Sequence, residues 1–164
     1  ILKNLGTNID IVGGIFDETM LELRQCQGME LSRQRICCAV SVNHRLAEKE
    51  ILTVQDLYGE RFLMMHRGWS RYVDELREDI WKNHPQIQVV DFDLYSMEIF
   101  NQCENSNGIL MAVENWKEAH PLLKIIPVEW KYTIPYGILY STEPSELVKR
   151  FLKAIKKQYK TKAV

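Results

Sequence analysis

A chain of 164 residues with 46% apolar and 26% charged side chains can bury roughly two-thirds of its unfolded surface, which excludes disorder over most of its length. Its 21 Lys+Arg offset 22 Asp+Glu to a net charge of −1, so composition makes no case for a polyanion-binding surface. Apolar runs such as Ile36 to Val40 fall far short of the roughly 20 residues that cross a bilayer, and no membrane partner is expected.

The first residues, Ile1-Leu2-Lys3-Asn4, contain no initiator Met and no signal-peptide pattern, so the chain reads as a fragment of a cytoplasmic protein. A strand is predicted over Ile9 to Ile15; its Gly13-Gly14 lacks the rest of a dinucleotide or phosphate-loop fingerprint. A second strand is predicted over Arg35 to Val42. There the adjacent Cys37 and Cys38 point to opposite faces and read as free thiols of a reducing compartment. Arg61 to His66 is the third strand.

The clearest helix runs from about Ser70 to Asn83, with Tyr72, Val73, Leu76, Ile80 and Trp81 on the buried side and Arg71, Asp74, Glu75, Arg77, Glu78 and Asp79 on the other. His84-Pro85 stops it. A strand over Gln86 to Asp91 leads to a helix over Met97 to about Asn105, with Ser96 as N-cap and Ile99, Phe100 and Cys103 inward. Strands over Gly108 to Val113, Leu123 to Pro127 and Tyr136 to Tyr140 follow. The last helix is predicted from Pro144 to about Gln158, burying Leu147, Val148, Phe151, Leu152 and Ile155. Lysines and Arg150 crowd residues 145 to 164, from Lys149 to Lys162; they complement the helix C-terminal dipole, or else form a nucleic-acid footprint. Short apolar runs alternating with amphipathic segments predict an α/β fold with a largely parallel sheet.

Tests for chemistry return little. His44, His66, His84 and His120 are far apart, and no Cys or His pair has zinc-site spacing, so no metal and no cofactor are expected. Gly68-Trp69-Ser70 is not a nucleophile elbow, because position 72 is Tyr. Asp91 and Asp93, two apart at a strand end, ordinarily face solvent. With no catalytic constellation, a binder is expected rather than an enzyme.

Two loops at strand carboxyl ends suit a small ligand, since open α/β sheets place their crevice there. His66-Arg67-Gly68-Trp69 enters a helix whose free N–H groups favour an anion, and Arg67 either grips a carboxylate or is a solvated loop arginine. Tyr95-Ser96-Met97 holds the equivalent place before the next helix, with Ser96 as ligand donor, helix cap or both.

The order of segments resembles the effector-binding domain of LysR-type transcriptional regulators. Ile9-Asp10-Ile11-Val12-Gly13-Gly14 is similar to the family's strand after the second helix. Cys38-Ala39-Val40-Ser41-Val42-Asn43-His44-Arg45-Leu46-Ala47 resembles "lvvsp.HpLA", with Arg45 where proline is usual. The stretch from Ile51 to Phe62, around Asp56-Leu57-Tyr58-Gly59-Glu60, resembles "i.t..DL.ge.fi" and is the most specific match. Gly108-Ile109-Leu110-Met111 stands at the family's Gly-Ile strand, with Val113 replacing a usual proline; Leu123 to Val128 and Pro135-Tyr136-Gly137-Ile138 resemble the return crossing.

The resemblance implies a two-lobed, type-two periplasmic-binding-protein-like fold with a small inducer in the interlobe cleft. Lobe one is then residues 1–42 with 132–164 and lobe two residues 43–131. Relative to the family, lobe one lacks its opening strand, helix and second strand, and the winged helix-turn-helix that contacts DNA is not in this sequence. The resemblance places Gly14 and Phe16, His66 and Arg67, Ser96 and Met97, and Tyr136 at the ligand. It further implies an anionic small-molecule effector, DNA contact only through that separate domain, and a homo-oligomer as partner state. A solute-binding protein of a transport system is the alternative, and an enzyme on the same fold a more distant one.

Overall fold

A computed structural model describes residues 2–161, with side chains through residue 159, so Lys162 of the C-terminal lysines falls outside the described residues. The chain divides into two compact units, Ile1–Arg33 with Pro135–Val164, and Gln34–Ile134. The bounds of these units fall at 33/34 and 134/135, each inside a strand.

Unit 1 contains strand β1 (Ile11–Ile15), helix α1 (Glu18–Arg24), the first part of β2 (Cys26–Ser41), the second part of β7 (Thr133–Ser141) and helix α4 (Glu146–Thr161). β1 runs antiparallel to β7, from Ile11 opposite Tyr140 to Ile15 opposite Tyr136. β7 in turn lies beside β2. A side chain at Gly137 would overlap the Met29 carbonyl, so glycine lets these two strands approach.

Helix α1 was not anticipated: it is seven residues long and buries only Met20, too short to show an apolar stripe. Asp17 caps it, accepting the Met20 N–H at 2.9 Å, and Gln25 ends it in the left-handed region. Helix α4 starts at Glu146, not Pro144, with the Ser145 hydroxyl accepting the Val148 N–H at 3.3 Å. Its expected stripe is only partly buried. Val148 is inside, but Leu147 is 69% exposed and Phe151 is exposed too, because the apolar arc is wider than the surface that covers it.

Unit 2 contains the rest of β2, then β3 (Arg61–Met65), helix α2 (Arg71–Asn83), β4 (Gln88–Phe92), helix α3 (Met97–Ser106), β5 (Ile109–Val113), β6 (Leu123–Pro127) and the start of β7. β2 pairs antiparallel with β5 and β6, while β3 lies between β5 and β4 and is parallel to both. The expected largely parallel sheet is therefore corrected to a mixed one. The parallel strands β3, β4 and β5 are joined through α2 and α3, while β2 meets β5 and β6 antiparallel.

One face of this sheet buries Cys37, Ala39, Leu63, Leu110, Ala112, Leu123 and Ile125 against Ile99 and Cys103 of α3. By strand alternation Phe62 and Met64 face the other way, toward the side where Val73, Leu76 and Ile80 of α2 are buried. Trp81, expected inside, is 70% exposed: it lies one position past the narrow i, i+3, i+7 stripe that the sheet covers.

Candidate functional site

The three parallel strands fix the geometry of unit 2. The chain leaves β3 into α2 and moves outward to β4; it leaves β4 into α3 and returns across β3 to β5. Right-handed crossovers in opposite directions put α2 and α3 on opposite faces, so the loops after β3 and β4 diverge. That is a topological switch point, where open α/β sheets form their ligand crevice. The two loops start side by side, with the His66 N–H donating to the Phe92 carbonyl at 3.1 Å.

In the loop after β3, the His66 ring shares a 2.9 Å hydrogen bond with the Arg67 carbonyl. Gly68 takes a φ of +86°, which glycine adopts without strain, and its N–H donates to the Asp74 carboxylate at 3.0 and 3.2 Å. Arg67 is exposed and 3.3 Å from Glu78. Ser70 has the extended backbone of an N-cap, yet its side chain makes no capping bond, and its buried hydroxyl has no partner among the described residues. Arg77, expected on the solvent face of α2, instead folds onto the strand ends. It donates to the Met65 carbonyl at 2.9 Å and to Asp91 at 2.6 Å.

In the loop after β4, the Tyr95 hydroxyl donates to the Met111 carbonyl at 2.7 Å. Its ring meets Phe92 and Trp116 edge-on, with centroids 4.8 and 4.6 Å away. Burial holds its phenol well above the ordinary ionisation range. Tyr95 therefore supports the loop from beneath. Ser96 and Met97 are exposed at the start of α3; Ser96 has N-cap backbone angles and no side-chain capping bond.

The expected contacts of unit 1 gather at the carboxyl end of β1. Gly14 lies opposite Gly137, and Tyr136 opposite Ile15. Phe16 is buried, with its ring where a side chain on Gly28 would fall and its N–H on the Pro135 carbonyl at 3.1 Å. Thus Gly14, Phe16 and Tyr136 belong to unit 1, and His66, Arg67, Tyr95, Ser96 and Met97 to unit 2.

Sequence reasoning had not singled out Asp17, Ser70 as an unpartnered hydroxyl, Asp74 or Arg77. Asp17 before Glu18-Thr19 carried a readable cap signal; the other three depend on contacts that spacing does not reveal. Among the described residues no group of three His, Cys, Asp or Glu side chains could hold a metal ion, and no helix is long and apolar enough to cross a membrane.

The family model of the LysR substrate binding domain matches residues 4–160. No curated protein matches. Among solved structures, the effector binding domain of QuiR in complex with shikimate is 15% identical with a TM-score of 0.66, covering 96% of this chain and 76% of that one. The Synechocystis PCC6803 CcmR regulatory domain in complex with 2-PG is 16% identical with a TM-score of 0.60, covering 92% and 72%. CbnR, a LysR family transcriptional regulator, is 10% identical with a TM-score of 0.65; this chain covers 52% of its length, and 91% of this chain is covered. Identities this low carry the fold and nothing finer.

Proposed function

The chain belongs to the LysR substrate binding domain family, and from that premise we propose that it senses an effector for a LysR-type transcriptional regulator, taking a small anionic metabolite and modulating transcription. The effector sits at the carboxyl edge of β3 and β4. It is bound and released, not turned over. DNA contact belongs to a separate helix-turn-helix domain, and the working protein is a cytoplasmic homo-oligomer.

One observation carries the reading. Ser70 and Ser96 stand at the N-cap positions of α2 and α3, on loops that start side by side, and neither side chain caps its own helix. Two helix N-termini with positive dipole ends thus share one sheet edge, with an exposed Ser96, a buried and unpartnered Ser70 hydroxyl, and Arg67 in the first loop with its guanidinium 3.3 Å from Glu78. A carboxylate or phosphate is the group such an edge accepts best. The neighbouring relatives support the same chemistry: the QuiR domain is in complex with shikimate and the CcmR domain with 2-PG.

The test is thermal unfolding with a panel of organic acids, phosphorylated acids and neutral analogues, beginning with shikimate and 2-PG. A true effector at a hundred times its Kd stabilises by about 2.7 kcal/mol. The expected result is stabilisation by one acidic class, reduced in Ser96→Ala and in Arg67→Ala. Stabilisation by no member of the panel, or stabilisation untouched by both substitutions, would overturn the proposal.

A further inference from the structure

The loop that enters α2 is answered by its own helix. The Trp69 N–H donates back to the His66 carbonyl at 3.3 Å, closing a turn whose third residue, Gly68, has a φ of +86°. That turn presents two donors, the Gly68 N–H and the Arg67 guanidinium. Carboxylates of α2 hold both: Gly68 donates to the two oxygens of Asp74 at 3.0 and 3.2 Å, and Arg67 donates to Glu78 at 3.3 Å. Asp74 and Glu78 are four residues apart and so share one face of the helix. Lys82, a further turn along, holds the other Glu78 oxygen at 3.0 Å.

The Arg67 and Glu78 side chains are 59% and 40% exposed, so solvent screens their pair and an incoming anion can replace it. Ser70, between the loop and Asp74 in the chain, is different: its hydroxyl is buried and has no partner among the described residues. The outer donors of the loop are thus filled from within, while an inner polar group is left open. We propose that Asp74 and Glu78 are resident anions of this loop, positioning residues that hold its donors until the acid group of an effector displaces them. An acceptor tethered on the adjoining helix turn competes at high effective concentration, and the apparent affinity of an outside anion falls by the fraction of loops that are open. The pair therefore sets a threshold that a weakly held anion does not cross. This meaning rests on the effector reading above; the competition itself is measurable without an effector.

The probe is inorganic phosphate, titrated at constant ionic strength into the whole chain while the Gly68 backbone amide is followed by NMR. In the parent the Gly68 resonance is expected to move little, because Asp74 keeps its N–H. In Asp74→Ala it should shift in a saturable way, with a phosphate Kd at least about tenfold lower than in the parent, and adding Glu78→Ala should lower the Kd again by freeing Arg67. Asp74→Asn, which removes the charge and keeps an acceptor, should fall between, and it carries the test should Asp74→Ala fold poorly. Glu75→Ala removes the same charge from an exposed site one residue along and is expected to leave the parent behaviour unchanged. Equal phosphate binding in parent and Asp74 variants, no binding in any variant, or the same gain from Glu75→Ala would overturn the proposal. If the acid panel fails to stabilise the parent while the variants take phosphate, the competition holds and the effector reading falls. If the panel succeeds and the variants gain nothing, only the resident anions are overturned.

Discussion

Arg77 on α2 reaches Asp91 at 2.6 Å while its other terminal nitrogen donates to the Met65 carbonyl at 2.9 Å, so one guanidinium joins the helix to the carboxyl ends of both β3 and β4. Only 12% of the Arg77 side chain is exposed, whereas Asp91 is largely solvated. The arginine is therefore the costlier partner to lose: hydrogen bonds to charged groups contribute about 1.5–3 kcal/mol when one partner is buried, against about 0–1 kcal/mol for an exposed ion pair. Arg77→Ala is expected to lower stability by about 2 kcal/mol and Asp91→Ala by less than about 1 kcal/mol, read from urea midpoints. Equal losses would show that the ion pair, and not the bond to Met65, holds the edge.

Gly137 and Gly59 separate two reasons for glycine. At Gly137 a Cβ would overlap the Met29 carbonyl, a backbone atom that cannot turn away, and the cost of such overpacking is about 3 kcal/mol. Gly59 has open space around it but a φ of +80°, so alanine there pays only the left-handed backbone, about 1 kcal/mol. Denaturant unfolding of Gly137→Ala and Gly59→Ala should show this order. The first substitution acts on the β7–β2 approach in unit 1.

Elements whose apolar runs match their secondary structure were legible from sequence. Leu123–Pro127 and α2 were read within a residue, since a five-residue run bounded by Pro and a long amphipathic repeat leave few alternatives. The first nine residues of β2, Cys26 to Gln34, were not legible, because their alternate positions hold Glu30, Ser32 and Gln34 and only their ends are buried. Periodicity assigned the right helices but overstated their buried arcs at Trp81, Leu147 and Phe151, since it reports a face and not the width of what covers it. At the candidate site, Arg67 and Ser96 could be placed from their position after strands. That Asp74 takes the Gly68 N–H, or that Ser70 leaves its hydroxyl unpartnered, follows from loop geometry that no spacing encodes.

All four cysteines are free and buried, and burial works against their ionisation. Desolvation pushes the Cys37 thiol up to about 11, aided by Glu114, and the Cys103 thiol up to about 12, while Cys38 is held well above the ordinary range. The thiolate is the reactive form, so these groups are inert at neutral pH. An aromatic disulfide reagent at pH 8 should label almost no thiol in the native protein and all four in denaturant. Rapid native labelling of Cys37 or Cys38 would mean that β2 opens locally. Cys26 of unit 1, raised more modestly by burial, is the first expected to react on mild destabilisation.

Asp56 gives the acid limb of stability a defined origin. Its carboxylate accepts from Lys49 at 2.6 Å, from the Thr53 N–H at 2.9 Å and from the Thr53 hydroxyl at 3.1 Å, while the Thr53 hydroxyl accepts the Asp56 N–H, completing a capping box before Val54–Leu57. The Lys49 hydrogen bond, followed by that of the Thr53 backbone, lowers the Asp56 pKa below its ordinary 3.8. A depressed carboxyl contributes stability that is present above its unfolded pKa and is lost as pH falls through its folded value. Asp56→Asn should therefore cost about 1 kcal/mol at pH 7, the usual range for a cap, and the gap between variant and parent should close as pH drops below about 4. Thr53→Ala removes the cap hydroxyl but leaves the Lys49 contact, so it should weaken the protein at pH 7 while keeping more of the acid dependence. If the parent and Asp56→Asn lose stability in parallel from pH 5 to pH 2, the acid limb arises elsewhere and the depressed Asp56 carboxyl is not its source.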